Sequence, residues 1–183
     1  VVGVASGTDA ITLALWAAGL APGDLVITPA LSAPPTAVAI VRAGARPLFV
    51  DVDPETLLIS PEAVERAVSL GARAIVPVHL YGNPCDMPSL REIAGRHRLP
   101  IIEDCAQALG TCLGGVSCGQ YSAAAAFSFY PTKNLGAYGD AGAVATNDPG
   151  IADRLKQMRY YGQDATGECT SVGMNSRLDE LQA

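Results

Sequence analysis

The feature that most constrains this chain is a regular alternation of short apolar runs with amphipathic stretches. Leu25-Val26-Ile27, Pro47-Leu48-Phe49-Val50, Ala74-Ile75-Val76-Pro77-Val78 and Ile101-Ile102-Glu103-Asp104 read as strands. Around them lie helix candidates at Asp9 to Ala18, Pro34 to Ala43, Pro61 to Leu70 and Pro88 to His97. Short strands that are apolar on both faces and separated by helices form βαβ units, because each strand needs a helical cover on either side. The expected fold class is α/β, with a mostly parallel central sheet and helices on both faces. Turn signals support the boundaries: Pro22-Gly23-Asp24 precedes the first strand, and Ser60-Pro61-Glu62 opens a helix.

After Ser122 the pattern changes. Ala123 to Phe129 reads as a strand, Pro131 to Ala141 as a glycine-bearing loop, Gly142 to Thr146 as a strand, and Pro149 to Tyr160 as a helix. Val1 enters the pattern at once, and Ser176 to Ala183 reads as the first turns of another helix. Domains usually begin and end in less structured segments. The expectation is therefore one incomplete domain over residues 1–183.

Charge and cysteine usage narrow the function classes. A formal charge of −6 with scattered arginines leaves no basic stripe for a phosphate backbone, so nucleic-acid binding is not expected. No apolar run approaches the roughly 20 residues needed to cross a bilayer, and Val1 to Ala5 has no charged n-region, so the reading is soluble and cytoplasmic. Five cysteines without a CxxC pair suggest neither a disulfide framework nor a zinc site, and no metal is expected. Among twelve basic side chains only Lys133 and Lys156 are lysines. Arginine cannot replace lysine where an uncharged amine must attack a carbonyl.

Four segments stand where strand ends of an open α/β sheet place ligands. Ala5-Ser6-Gly7-Thr8-Asp9 is a small-residue turn into a helix, suited to holding a phosphate on backbone N–H groups, and equally the pattern of an ordinary N-cap. In Ile101-Ile102-Glu103-Asp104-Cys105-Ala106-Gln107 an apolar strand delivers a carboxylate at its end. Such a group calls for a cation, a helix cap or a metal. Phe127-Ser128-Phe129-Tyr130-Pro131-Thr132-Lys133-Asn134-Leu135-Gly136 ends a strand in a turn that presents a lysine beside the Ser128 hydroxyl, which suits Schiff-base chemistry near a phosphate or a plain surface charge. Met174 to Gln182 begins a helix with polar groups in its first turn.

Taken in order, Ser6-Gly7-Thr8-Asp9-Ala10, Phe49-Val50-Asp51-Val52-Asp53-Pro54, Pro77-Val78-His79-Leu80-Tyr81-Gly82, Ser128 to Asn134 and Asn175 to Gln182 resemble the DegT/DnrJ/EryC1/StrS aminotransferases over essentially the whole length. The resemblance implies the large, cofactor-binding domain of a fold-type-I transferase, without its C-terminal small domain, using pyridoxal 5'-phosphate. It implies that Lys133 carries the cofactor as a Schiff base and later shuttles a proton, and that Asp104 pairs with the pyridine nitrogen. Gln107 would bond the phenolic oxygen, and Gly7, Thr8 and Ser128 the phosphate. Asn175 would reach the phosphate of a neighbouring subunit, so a homodimer is implied. After Pro29, many members carry an aromatic that stacks on the pyridine ring. Here the chain reads Ala30-Leu31-Ser32-Ala33, and that role stays unassigned.

The activity implied is transfer of an amino group from glutamate or glutamine to a nucleotide-linked keto sugar or a keto-cyclitol. Sugar dehydratases on the same scaffold replace the Schiff-base lysine by histidine, so Lys133 argues for transfer. A regulatory protein that binds the cofactor without turnover is a further alternative. A dinucleotide site lacks its G-x-G-x-x-G signature.

Overall fold

In the computed structural model, which describes residues 1–183, each apolar run pairs with a neighbouring strand. β1 (Val2–Val4) leads into α1 (Gly7–Ala17). β2 (Leu25–Pro29), α2 (Pro34–Arg42) and β3 (Arg46–Val50) follow, then α3 (Pro61–Val68), β4 (Ala72–Ile75), α4 (Met87–His97) and β5 (Ile102–Asp104). A small hairpin, β6 (Cys112–Leu113) and β7 (Val116–Ser117), precedes β8 (Ala124–Ser128), β9 (Gly142–Ala145) and α5 (Pro149–Met158).

Two ladders make the sheet. One runs β1-β9-β8-β5 and the other β3-β2-β4. Parallel bridges Ile75↔Ile101 and Val78↔Asp104 join them edge to edge, giving the spatial order β3-β2-β4-β5-β8-β9-β1. Only β9 runs against the others, since both of its pairings are antiparallel and all remaining ones are parallel. All strands but β9 therefore end on one rim, and ligands of open α/β sheets bind at that rim.

Helices cover both faces. α1, α2 and α5 enclose a core that includes Val4, Leu13, Leu15, Ile40, Ile102 and Leu155, all fully or almost fully buried. α3 and α4 close the opposite face over Ile27, Val64, Ile75, Met87 and Leu90. α1 lies centrally, against β8, β9, α2 and α5. Its all-round apolar sequence, buried from Asp9 to Leu15, suits that position. No helix is long and apolar enough to cross a membrane.

The α/β reading holds, with corrections. The strand expected at Ala74 to Val78 begins and ends earlier, because Pro77 has no N–H and the chain keeps only the isolated bridge at Val78. α1 starts at Gly7, two residues before the expected Asp9, since Ser6 is its N-cap. The β6–β7 hairpin, closed by Gly114 and Gly115, was not anticipated. The helix expected from Ser176 is also corrected. Asn175 forms an antiparallel bridge with Tyr160, and Ser176 N–H donates to Arg159 O at 2.9 Å. These tethers hold 175–177 extended, and helical bonding begins only at Asp179, whose carbonyl accepts from Ala183 N–H.

Candidate functional site

A cavity of about 390 Å³ opens at the strand-end rim. Gly7, Thr8, Asp104, Gln107, Ser128 and Lys133 all line it, although they come from three separate segments. Asn175, the remaining site candidate, is exposed and outside the cavity, where its Oδ1 accepts from Arg177 Nε at 3.2 Å.

One wall is the start of α1. Ser6 caps the helix by accepting from Asp9 N–H at 3.1 Å, so Gly7 and Thr8 occupy the first helical positions, whose N–H groups have no intrahelical acceptor. Gly7 packs so tightly on β8 that a Cβ there would lie 2.7 Å from Ser128 Cβ. Gly142 of β9 permits an equally close approach, since a Cβ would stand 2.5 Å from the Ser6 carbonyl carbon. Ser128 Oγ accepts from Tyr130 N–H at 3.4 Å, leaving its own proton to donate. Bare helix N–H groups beside two hydroxyls form an anion cradle.

Opposite the cradle, β5 delivers Asp104, which is 4% exposed. Its Oδ2 accepts from Thr36 Oγ1 at 2.8 Å and its Oδ1 from Ala106 N–H at 3.1 Å. Burial pushes the carboxyl above its ordinary value, while the hydrogen bonds from Thr36 and Ala106 and the charge of Lys133 act in the other direction. A buried carboxylate without an ion-pair partner is costly, and a cation in the cavity would relieve that cost.

Lys133 sits in the loop after β8, its N–H donating to Tyr130 O at 2.8 Å, and it is half-buried at the cavity edge. The chain's other lysine differs: Lys156 is exposed on α5 and paired with Asp153 at 2.9 Å. Gln107 is fixed by Tyr81 N–H, which donates to its Oε1 at 2.7 Å. The NH₂ of the same amide is left as its donor toward a ligand oxygen.

A second polar cluster lies beside the cavity and is structural. Glu103 is fully buried and accepts from His79 Nε2 (2.9 Å), Gly119 N–H (2.8 Å), Tyr121 N–H (3.1 Å) and Ser122 Oγ (2.6 Å). Burial acts to raise its carboxyl, but the hydrogen bonds from His79, Ser122 and Gly119 prevail and hold it below the ordinary value. His79 Nδ1 accepts from Cys85 N–H at 3.0 Å, so the ring proton resides on Nε2. Cys105 completes a His-Glu-Cys grouping. Both ring nitrogens are already engaged, and burial keeps the Cys105 thiol well above its ordinary pKa. A metal would have to displace each of these bonds.

Four contributors were not singled out from the sequence. Thr36 in the first turn of α2 and Ser32 just before that helix belong to no motif, and Tyr81 acts through its backbone. Ser176 is buried, donating to Asp9 Oδ2 at 2.7 Å and accepting from Ala5 N–H at 3.0 Å, while Asp9 Oδ1 meets Arg42 at 2.8 Å. These contacts latch the 175–177 segment to the start of α1.

The donor set fits pyridoxal phosphate: an amine, an anion cradle, a buried carboxylate for a ring cation and an amide donor share one cavity. Comparison with known proteins agrees. The family model described as the DegT/DnrJ/EryC1/StrS aminotransferase family matches residues 1–183. The dTDP-3-amino-3,4,6-trideoxy-alpha-D-glucose transaminase of Micromonospora megalomicea subsp. nigra is 53% identical over 183 residues, which is 100% of this chain and 49% of the relative. A pleiotropic regulatory protein of Geobacillus stearothermophilus is 50% identical over 182 residues, again 100% of this chain and 49% of the relative. Among solved structures, NtdA from Bacillus subtilis with bound cofactor PMP superposes with a TM-score of 0.91 at 39% identity, covering 99% of this chain and 41% of that one. The chain thus spans about half the length of the curated relatives it matches.

Proposed function

Because the chain belongs to the DegT/DnrJ/EryC1/StrS aminotransferase family, we propose that it is the cofactor-binding large domain of a pyridoxal-phosphate aminotransferase acting on a keto sugar. The observation that carries the reading is the convergence of Lys133, Asp104 and Gln107 on one cavity with the start of α1. The acceptor is a nucleotide-linked keto sugar or a keto-cyclitol, and the donor is glutamate or glutamine. The whole protein works as a cytoplasmic homodimer, with Asn175 serving the partner's site and a small domain following the large one. The exposed position of Asn175 and the five free cysteines suit this reading.

Pyridoxal phosphate, when bound, supplies an electron sink for the carbanion left when an amino donor loses its α-proton. Lys133 Nζ would hold the cofactor covalently, and as a free amine it would take and return that proton. Asp104 keeps its charge toward the ring nitrogen. Gln107 donates to the ring oxygen, and Gly7, Thr8 and Ser128 bind the phosphate. Lys133 also sets the reaction class, since a dehydratase of this scaffold would carry histidine there.

The test is the visible absorbance of the full chain with pyridoxal phosphate. A band that Lys133→Ala abolishes is expected, and a band that survives in Lys133→Ala rejects the assignment. A second reading, cofactor binding without turnover, takes its support from the name of the Geobacillus stearothermophilus relative. Glutamate separates the two: transfer releases 2-oxoglutarate stoichiometric with cofactor, and its absence favours the regulatory reading.

A further inference from the structure

We propose that Thr36 is a positioning residue, its hydroxyl oriented by Ser32 and holding the Asp104 carboxylate in one orientation at the cavity; the functional part of this inference rests on reading Asp104 as the partner of the pyridine nitrogen.

Hydrogen-bond direction carries the argument. Thr36 has one hydroxyl proton, and it goes to Asp104 Oδ2 at 2.8 Å. The 3.1 Å contact between the hydroxyls of Ser32 and Thr36 must then have Ser32 as donor. Ser32, Thr36 and Asp104 thus form a directed chain, in which each donor strengthens the next. The other carboxylate oxygen accepts from Ala106 N–H, only two residues away. Thr36 is therefore the tertiary restraint on Asp104, reaching it across 68 positions of sequence. It is 3% exposed, and its place is set by Pro34 and Pro35, which occupy the first positions of α2.

Both donors are neutral. An arginine at the same place would have spent the charge of Asp104 in an ion pair. A hydroxyl and an amide stabilise the carboxylate and leave its charge for a ligand cation. The charged or titratable groups around it are Lys133, Tyr130 and Asp140 on the cavity wall, with His79, Glu103, Cys85 and Cys105 in the interior. None of them donates a hydrogen bond to the carboxylate, and substitution at Thr36 alters none of them.

The experiment compares wild type, Thr36→Val, Thr36→Ser and Ser32→Ala in the full chain. Two quantities are read: the Asp104 titration midpoint by carboxyl ¹³C NMR in cofactor-free protein, and retention of pyridoxal phosphate by equilibrium dialysis. Thr36→Val is expected to raise the midpoint and to weaken retention about tenfold, and Thr36→Ser to restore both. Wild-type values in Thr36→Val overturn the proposal, as does failure of serine to rescue a folded protein. Should Thr36→Val not fold, Ser32→Ala decides: a smaller shift in the same direction supports the proposal and no shift overturns it. A wild type that shows no lysine-dependent band defeats the functional reading alone, since the NMR arm still tests Thr36 against Asp104.

Discussion

The backbone N–H of Tyr81 donates to Gln107 Oε1 at 2.7 Å and thereby decides which end of the Gln107 amide is left for a ligand. Tyr81 can do so because it adopts a left-handed conformation, φ 57°, just before Gly82. With its oxygen held by Tyr81, the Gln107 side chain has its NH₂ left to serve the cavity as a donor.

Gln107→Glu should keep the bond from Tyr81 and lose the donor. Pyridoxal phosphate affinity is expected to fall about tenfold, the cost of one hydrogen bond to a charged oxygen, with little change in thermal unfolding. Equal loss of affinity and of fold stability would instead assign Gln107 to the scaffold.

Asp104→Asn should separate stability from function. The folded carboxyl lies above its unfolded value of about 3.9, so its contribution to stability is present below that value and is lost as pH rises through the folded midpoint. Urea unfolding of the cofactor-free protein should therefore show wild type falling behind Asp104→Asn as pH increases. Cofactor retention should change the opposite way, with the asparagine variant weaker throughout.

Glu103 has the reverse sign. Its folded carboxyl lies below the unfolded value of about 4.3, so its stabilisation is present above that pH and is lost as pH falls through the folded midpoint. Glu103→Gln turns an amide NH₂ toward groups that are themselves donors and is expected to cost about 3 kcal/mol in urea unfolding at pH 7. The same variant in acid should differ less from wild type.

Native alkylation should count two fast thiols. Cys112 and Cys169 are exposed, whereas burial pushes Cys85 up to about 12, Cys118 up to about 11 and Cys105 well above its ordinary value. Mass spectrometry after iodoacetamide treatment at pH 8 should show the other three modified only after unfolding.

Gly7→Ala places a methyl 2.7 Å from Ser128 Cβ, where the end of β8 meets the start of α1. Overpacking of that kind costs about 1–3 kcal/mol, read as a lower urea midpoint. It should also weaken cofactor retention, because the same displacement widens the anion cradle.

The fold class and six residues that line the cavity, Gly7, Thr8, Asp104, Gln107, Ser128 and Lys133, are legible in the sequence. Strand and helix periods are local properties, so the doubly apolar runs at Leu25 and Ile101 declared a covered sheet before any pairing was known. The site motifs were legible for a related reason: Gly7, Asp104 and Lys133 each sit where a strand ends, and their short flanking strings are distinctive.

How these groups are held depends on contacts between distant parts of the chain. Thr36 reaches Asp104 across 68 positions, and Ser176 reaches Asp9 across 167, through hydroxyls that no local pattern marks. The segment from Ser176 reads as a helix start, yet its contacts with Arg159 and Asp9 keep it extended until Asp179. Local propensity amounts to tenths of a kcal/mol per residue, and buried hydrogen bonds to distant partners outweigh it. Sequence thus named the groups of the candidate site, and long-range packing fixed the hydrogen bonds that orient them.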